Sequence, residues 1–201
     1  MKNIAVFASG TGTNFLAIHN AIRKKRVRAN LAVLVCDNNK AGVIAKANKA
    51  GVKVVLITRQ DYKDKDAFEA KLIQCLNDYK VELIVLAGFM RMLSAKFVKK
   101  YYGRMVNVHP SLLPSFKGTQ AIKDAFEYGV KYTGVTVHFV DELMDHGPII
   151  TQEPVSINDK DSLDSLEKRI HSIEHKIYPK AIGLVISEKV KISGRKVVNS
   201  R

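Results

Sequence analysis

Two runs decide how this chain folds: Leu83-Ile84-Val85-Leu86-Ala87-Gly88-Phe89-Met90-Arg91 and Val106-Asn107-Val108-His109-Pro110-Ser111-Leu112-Leu113-Pro114. Each is a short apolar stretch that ends in polar residues or glycine. That is the pattern of a strand buried on both faces, delivering its last side chains to one edge of a parallel sheet. In the second run the side-chain period of two puts Asn107 and His109 on the same face. Pro110 has no N–H and cannot continue a central strand, so the strand ends there. His109 then sits at a strand end, where open α/β sheets bind ligands. An amide beside an imidazole can polarise a carbonyl and hold the oxyanion that forms from it. The competing reading is a buried His and Asn that only satisfy one another.

Working outward, apolar runs and amphipathic helical patterns alternate. Residues 3–8 form a first, central strand, and Ser9-Gly10-Thr11-Gly12-Thr13-Asn14 opens a helix with Ile18, Ala21 and Ile22 on one face. A glycine-rich turn at a helix N-terminus leaves free N–H groups for an anion. Gly12 would allow close backbone approach to a phosphate, with donors from Thr13 and Asn14. The motif lacks the third glycine of a dinucleotide fingerprint (Phe15 stands there) and has no P-loop lysine. A tight turn needing glycine for positive φ is the alternative. Strands follow at 29–35, 53–56 and 83–87, with helices at 42–50, around Phe68, Leu72, Cys75, Leu76 and Tyr79, and at 95–101. This alternation predicts an α/β fold, a doubly wound, mostly parallel central sheet with helices on both faces.

After Pro114 the pattern changes. A helix is expected at 120–128 and a half-buried strand from Val135, Val137 and Phe139 alternating with Thr136 and His138. His138 reads as a hydrogen-bonded structural histidine. Residues 141–148 form an acidic loop before a strand at 149–152. Its carboxylates, Asp141, Glu142 and Asp145, lack convergent metal spacing, so it reads as a ligand loop turned by Gly147-Pro148. A long helix is expected at 162–187, with a core stripe of Leu163, Leu166, Ile170, Ile173 and Ile177, and Pro179 should kink it or break it in two. Glu174 lies at the stripe's edge. The tail turns at Ser193-Gly194 as a hairpin.

Length and composition agree with one globular domain. The chain has 201 residues, 46% hydrophobic and 26% charged. We expect a single domain over 1–201, with a phosphate-binding half at 1–100, a second half carrying the strand-end site at 101–187 and the hairpin at 188–201. No apolar run reaches the ~18–20 residues of a membrane span. The N-terminus runs straight into a strand pattern without a signal-peptide cleavage site. Cys36 and Cys75 have no metal spacing and read as small core residues of a reducing compartment, hence cytoplasm. The net charge of +14 would suit nucleic acid. The lysines are dispersed, however, and not interleaved with aromatics, so a solvated surface that attracts small anions is the reading preferred.

The glycine-rich opening at 9–14, Leu86-Ala87-Gly88-Phe89-Met90-Arg91-Met92-Leu93, the Asn107 to Pro114 block, the loop at 141–148 and Glu174-His175-Lys176-Ile177-Tyr178-Pro179 occur in that order. Together they resemble the phosphoribosylglycinamide formyltransferases of the folate-dependent formyltransferase superfamily, whose fold is Rossmann-like. The resemblance implies transfer of the formyl group of 10-formyltetrahydrofolate, a co-substrate, to the amine of 5-phosphoribosylglycinamide, with no metal. It implies a catalytic group of Asn107, His109 and Asp145. Gly12, Thr13, Asn14, Pro110 and Glu174 would bind the ribonucleotide. Lys65, Met90, Arg91, Met92, Leu93, Asn107, Asp141, Glu142, Leu143, Met144 and Asp145 would bind the formyl-folate. Ser115-Phe116-Lys117-Gly118 departs from the Lys-(Tyr/Phe)-Pro-Gly of some members, and His146 replaces a glycine.

The expected partners are therefore small molecules, with no nucleic acid or membrane, in a monomer or weak homodimer. Methionyl-tRNA formyltransferase shares the core but carries a further C-terminal domain. Formyltetrahydrofolate hydrolase carries a regulatory domain before it. A non-catalytic nucleotide-binding module is the rival from another class, and it leaves Asn107, His109 and Asp145 without a task.

Overall fold

The computed structural model describes residues 1–200; Arg201, the last residue of the expected tail hairpin, lies outside the described residues. The chain runs β1 (Lys2–Ala8), α1 (Thr13–Arg23), β2 (Ala29–Cys36), α2 (Gly42–Lys49), β3 (Val54–Leu56), a 3-10 turn (Arg59–Asp61), α3 (Lys65–Asp78), β4 (Leu83–Leu86), α4 (Ala95–Lys100) and β5 (Met105–His109). There follow α5 (Ala121–Tyr128), β6 (Tyr132–Phe139), β7 (Ile149–Ser156), α6 (Leu163–Ile186), and the hairpin β8 (Val190–Ser193) and β9 (Lys196–Asn199).

Seven strands form one sheet in the order β3-β2-β1-β4-β5-β6-β7. The first five run parallel, and β6 and β7 add antiparallel. The apolar runs are continuous because both faces are covered. Ile4, Val6 and Ala8 join the core with Leu166, Ile170 and Ile182 of α6, whereas Ala5 and Phe7 join the core with Leu72 and Leu76 of α3 and Phe97 of α4. Each such large side chain contributes roughly 1.5–3 kcal/mol by leaving water.

The winding reverses at β1. β2 and β3 build outward on one side, and the chain then returns to place β4 on the other. The carboxyl ends of the strands at such a reversal are where open α/β sheets bind ligands, and here Ser9 after β1 stays joined to Gly88 after β4, its N–H donating to that carbonyl (3.0 Å). β4 and β5 pair as far as Leu86 and Asn107. Tyr178 of α6, fully buried, donates its hydroxyl to the carbonyls of both Leu86 (2.8 Å) and Val106 (3.0 Å).

Three expectations need correction. α6 is one continuous helix and is not broken at Pro179. Proline removes one helical hydrogen bond, but Leu166, Ile170 and Glu174 before it and Ala181 and Ile182 after it are all buried, so packing pins both halves. β6 is buried on both faces, not half-buried. Its polar face lies under the segment after β5: Thr136 Oγ1 donates to the Ser111 carbonyl (2.7 Å) and accepts from the Leu113 N–H (3.1 Å). β7 extends past Gln152 to Ser156, and Pro154 is tolerated because β7 is the sheet edge.

Candidate active site

β5 delivers Asn107 and His109 to one face, as the period of two requires, and β6 sets His138 directly opposite Asn107. His138 Nδ1 lies 2.7 Å from the Phe139 carbonyl, which only an Nδ1–H can satisfy. Its Nε2 is then a lone pair, and the Asn107 amide donates to it across 3.2 Å. Burial lowers the pKa of His138, so the ring is neutral at neutral pH and that tautomer persists. The contact fixes the Asn107 side chain and leaves its second amide N–H uncommitted.

His109 is buried, with acceptors at both ring nitrogens. Nε2 is 2.8 Å from the Phe116 carbonyl, and Nδ1 is 3.5 Å from Asp145 Oδ2. Asp145 Oδ2 also accepts from the Gly118 N–H (2.9 Å), and Oδ1 lies 3.9 Å from His138 Nε2. The loop at 141–148 thus reaches over the sheet to the end of β5. Asp145 has φ 47, a left-handed conformation that Asp adopts more readily than most residues. Gly147 is required, since a Cβ there would lie 1.7 Å from the Phe139 carbonyl oxygen. The three expected catalytic residues come together, and with them His138, which sequence reasoning had read as structural. Pro110, half-buried, leads the chain away from His109.

The glycine turn opens α1 without a side-chain cap and without an acid in the first turn, so its N–H groups are free for an anion. Thr13 is exposed there. Gly12 has φ 78, as the tight-turn reading requires, and a Cβ on it would lie 2.5 Å from Val43 Cγ2 of α2, so helix packing demands the glycine as well. The Asn14 amide points across to α6 and donates to Glu174 Oε2 (2.9 Å), while its Oδ1 is buried without a partner. Glu174 is buried at 4% exposure. His171 Nδ1 lies 3.0 Å from the same Oε2, and this contact raises the His171 pKa. A groove of about 570 Å³ runs from Thr13 along the seam of α1 and α6 to Lys180.

In the segment after β4, Met90 and Met92 are 66% and 65% exposed, and Leu143 and Met144 of the acidic loop are exposed as well. Leu93 packs on the core beside α3. The Arg91 guanidinium is tied to buried Asp37. Glu69 of α3, also buried, accepts from the backbone and hydroxyl of Ser94, which caps α4 and closes the loop that carries Met90 to Leu93. Lys65, at the start of α3, is exposed and makes no ion pair among the described residues. In the acidic loop Glu142 pairs with Lys99 (3.4 Å). Asp141 meets His146 (2.7 Å) and, from the tail hairpin, Arg195 (3.7 Å). Asp37, Glu69 and Arg195 escaped the sequence reading, whereas His138 is the hydrogen-bonded histidine that was expected. Only Asp37, directly after an apolar run, carried a signal that could have flagged it.

Comparison with known proteins agrees with this geometry. The formyl transferase family model matches residues 2–182. The chain is 46% identical to the phosphoribosylglycinamide formyltransferase of Bacillus subtilis over 90% of its own length and 93% of that protein's. It is 44% identical to the trifunctional purine biosynthetic protein adenosine-3 of Gallus gallus, covering 94% of this chain but 19% of that one. The crystal structure of glycinamide ribonucleotide transformylase 1 from Symbiobacterium toebii superposes with a TM-score of 0.96 at 39% identity, covering all of this chain and 95% of the other. A formyl transferase domain over nine-tenths of the chain, close identity to a full-length relative and a strand-end cluster of amide, imidazole and carboxylate lead to one assignment: the chain belongs to the phosphoribosylglycinamide formyltransferase family.

Proposed function

We propose that the protein transfers the formyl group of 10-formyltetrahydrofolate to the amine of 5-phosphoribosylglycinamide, giving formylglycinamide ribonucleotide and tetrahydrofolate in purine biosynthesis. The observation that carries this reading is the convergence of Asn107, His109 and Asp145 at one strand end, with His109 Nδ1 3.5 Å from the Asp145 carboxylate.

In this reading the substrate amine attacks the formyl carbon, forming a C–N bond and a tetrahedral oxyanion. The free N–H of Asn107, held by His138, and the His109 ring, held at Nδ1 by Asp145 and turning Nε2 from the Phe116 carbonyl to the substrate, stabilise that oxyanion. Collapse breaks the bond to the folate nitrogen. The proton lost by the attacking amine is delivered to that nitrogen, directly or through water, with His109 and Asp145 as the relay. Gly12, Thr13 and Pro110 hold the ribonucleotide, its phosphate on the amides that open α1. Asn14 acts through Glu174, whose Oε1 has no hydrogen-bond partner among the described residues and would accept from the substrate amine. Met90, Arg91, Met92 and Leu93, with Asp141, Glu142, Leu143 and Met144, line the folate side, and Lys65 lies further out along α3. The reading includes a cytoplasmic enzyme of small molecules, monomeric or weakly dimeric. Among the described residues no helix is long and apolar enough to cross a membrane.

The test is direct. Protein incubated with phosphoribosylglycinamide and 10-formyltetrahydrofolate should release tetrahydrofolate in step with formylated ribonucleotide. Release of folate without the ribonucleotide, or no release at all, rules the reading out.

A further inference from the structure

Three loops meet where the sheet reverses its winding, and one buried carboxylate joins them. Asp37, the first residue after β2, is 3% exposed. Its Oδ1 accepts from Ser9 Oγ (2.5 Å) and its Oδ2 from Arg91 Nε (2.6 Å). Ser9, the residue before the glycine turn, also accepts the Met90 N–H on its hydroxyl (2.9 Å). Its carbonyl accepts from Asn38 Nδ2 (3.1 Å), and its N–H donates to the Gly88 carbonyl (3.0 Å). A carboxylate this deeply buried needs a charged or well-donating partner. Arg91 supplies one with Nε alone. Its side chain remains 43% exposed, and neither Nη group has a partner among the described residues.

An arginine side chain carries five donors in a rigid planar fork. Fixing Nε fixes the direction of the other four N–H groups. Here the guanidinium belongs to a loop whose Met90 and Met92 side chains are also exposed and offer apolar contact. We propose that Asp37 is a positioning residue for the formyl donor: by clamping Arg91 at Nε it holds the open edge of the guanidinium toward a flat ligand rich in acceptors, such as the donor's folate moiety. Ser9 carries the same clamp to the loop that binds the ribonucleotide phosphate. This inference rests on the functional reading above.

The consequences differ for the two substrates. Asp37→Asn keeps an oxygen for Ser9 but gives up the charge and the acceptor for Arg91. It should raise the KM for 10-formyltetrahydrofolate about tenfold, the usual effect of losing a charge-assisted hydrogen bond. The ribonucleotide KM should stay within about twofold. Asp37→Glu, which restores the charge, should recover part of the loss. Arg91→Ala should match Asp37→Asn, and the double variant should be little worse than either, because the two residues act as one unit. Ser9→Ala, which removes the joint itself, should raise both KM values. If Asp37→Asn moves both KM values alike or neither, or if the losses of the double variant multiply, the proposal is overturned. Should Asp37→Asn fail to fold, Arg91→Lys serves instead. It keeps the charge without the fork, and an unchanged donor KM in that variant is equally fatal. A wild-type protein without formyl transfer would refute the functional reading; an active wild type with an indifferent Asp37→Asn would refute only the clamp.

Discussion

Asn14 and Glu174 stand 160 positions apart in the chain and 2.9 Å apart in the fold. The bond ties the first turn of α1 to the middle of α6, and both donors that reach Glu174 use the same oxygen, Oε2. The other oxygen makes no hydrogen bond among the described residues. Glu174→Gln should therefore raise the ribonucleotide KM by about 10- to 100-fold, the range for a hydrogen bond to a charged group. The donor KM should hardly move. Steady-state kinetics with each substrate varied in turn separates these outcomes, and an equal rise in both would remove Glu174 from the ribonucleotide site.

The pairing of His109 with Asp145 makes a sharper prediction. Asp145→Asn keeps a residue that tolerates the left-handed backbone found there. We expect substrate binding to persist and kcat to fall by ~10²–10⁴, the usual worth of a positioned acid or base. His109→Ala should be comparably slow and the double variant little slower, since residues that act as a unit are not additive. A double-mutant cycle on kcat, with folding verified for each protein, decides it: multiplicative losses would mean that the two act independently.

The glycine turn should bind a bare anion. Sulfate or phosphate is expected to inhibit competitively against the ribonucleotide and to leave the folate KM alone. Gly12→Val is a poor probe, because the new side chain would collide with Val43 and destabilise the protein. Thr13→Asp is better, since Thr13 is exposed and the change sets a negative charge on the turn. Inhibition by sulfate that survives Thr13→Asp would place the anion elsewhere.

The positive charge is not expected to serve tRNA. Part of it gathers at the edge where β1 begins, around a cavity of about 890 Å³ lined by Lys25, Arg26, Arg28, Lys180 and Lys189, and not at the strand-end cluster. Titration with tRNA near ~150 mM salt should give Kd values of roughly 10⁻⁴–10⁻⁶ M, the range of non-specific binding to duplex DNA. Saturable submicromolar binding together with formylation of methionyl-tRNA would reverse the functional assignment.

Stability should depend on pH through two histidines of opposite sign. Burial lowers the His138 pKa, so below an unfolded value of about 6.5 the unfolded chain takes up a proton that the folded one resists, and stability falls with pH. Glu174 raises the His171 pKa, so its contribution is complete below about 6.5 and is lost as pH rises through the folded value. Urea unfolding between pH 5 and 8 should show a shallower acid-side loss in His138→Gln and a steeper one in His171→Gln. Identical slopes in all three proteins would contradict both assignments.

The parallel half of the sheet was legible because strands such as Ile4 to Ala8 are covered on both faces and so contain no polar interruption. The same rule misjudged β6. There Thr136 and His138 are polar yet buried, because Ser111 and Leu113 supply partners for Thr136, and Asn107 and the Phe139 carbonyl supply them for His138. Asn107 and His109 could be paired from their spacing alone. Asp145 and Glu174 entered through the family resemblance, since nothing local in the chain says that a loop will fold over the sheet or that α6 will meet α1. Asp37 and Glu69 remained hidden for a related reason. Each stabilises a neighbouring loop, and which loops become neighbours is decided by the order of strands in the sheet.

The contact between Gly12 and Val43 has a consequence for how this protein can change. The missing side chain at position 12 and the valine at position 43 occupy one volume between α1 and α2. A methyl group gained at 12 would meet the Val43 backbone Cα at 2.9 Å as well as its side chain, so it requires an outward shift of α2 even if atoms are lost at 43, and the positive φ at 12 penalises the exchange even then. The turn that opens α1 therefore inherits its shape from a neighbouring helix, and drift in α2 would be felt first as altered affinity at the other end of that contact.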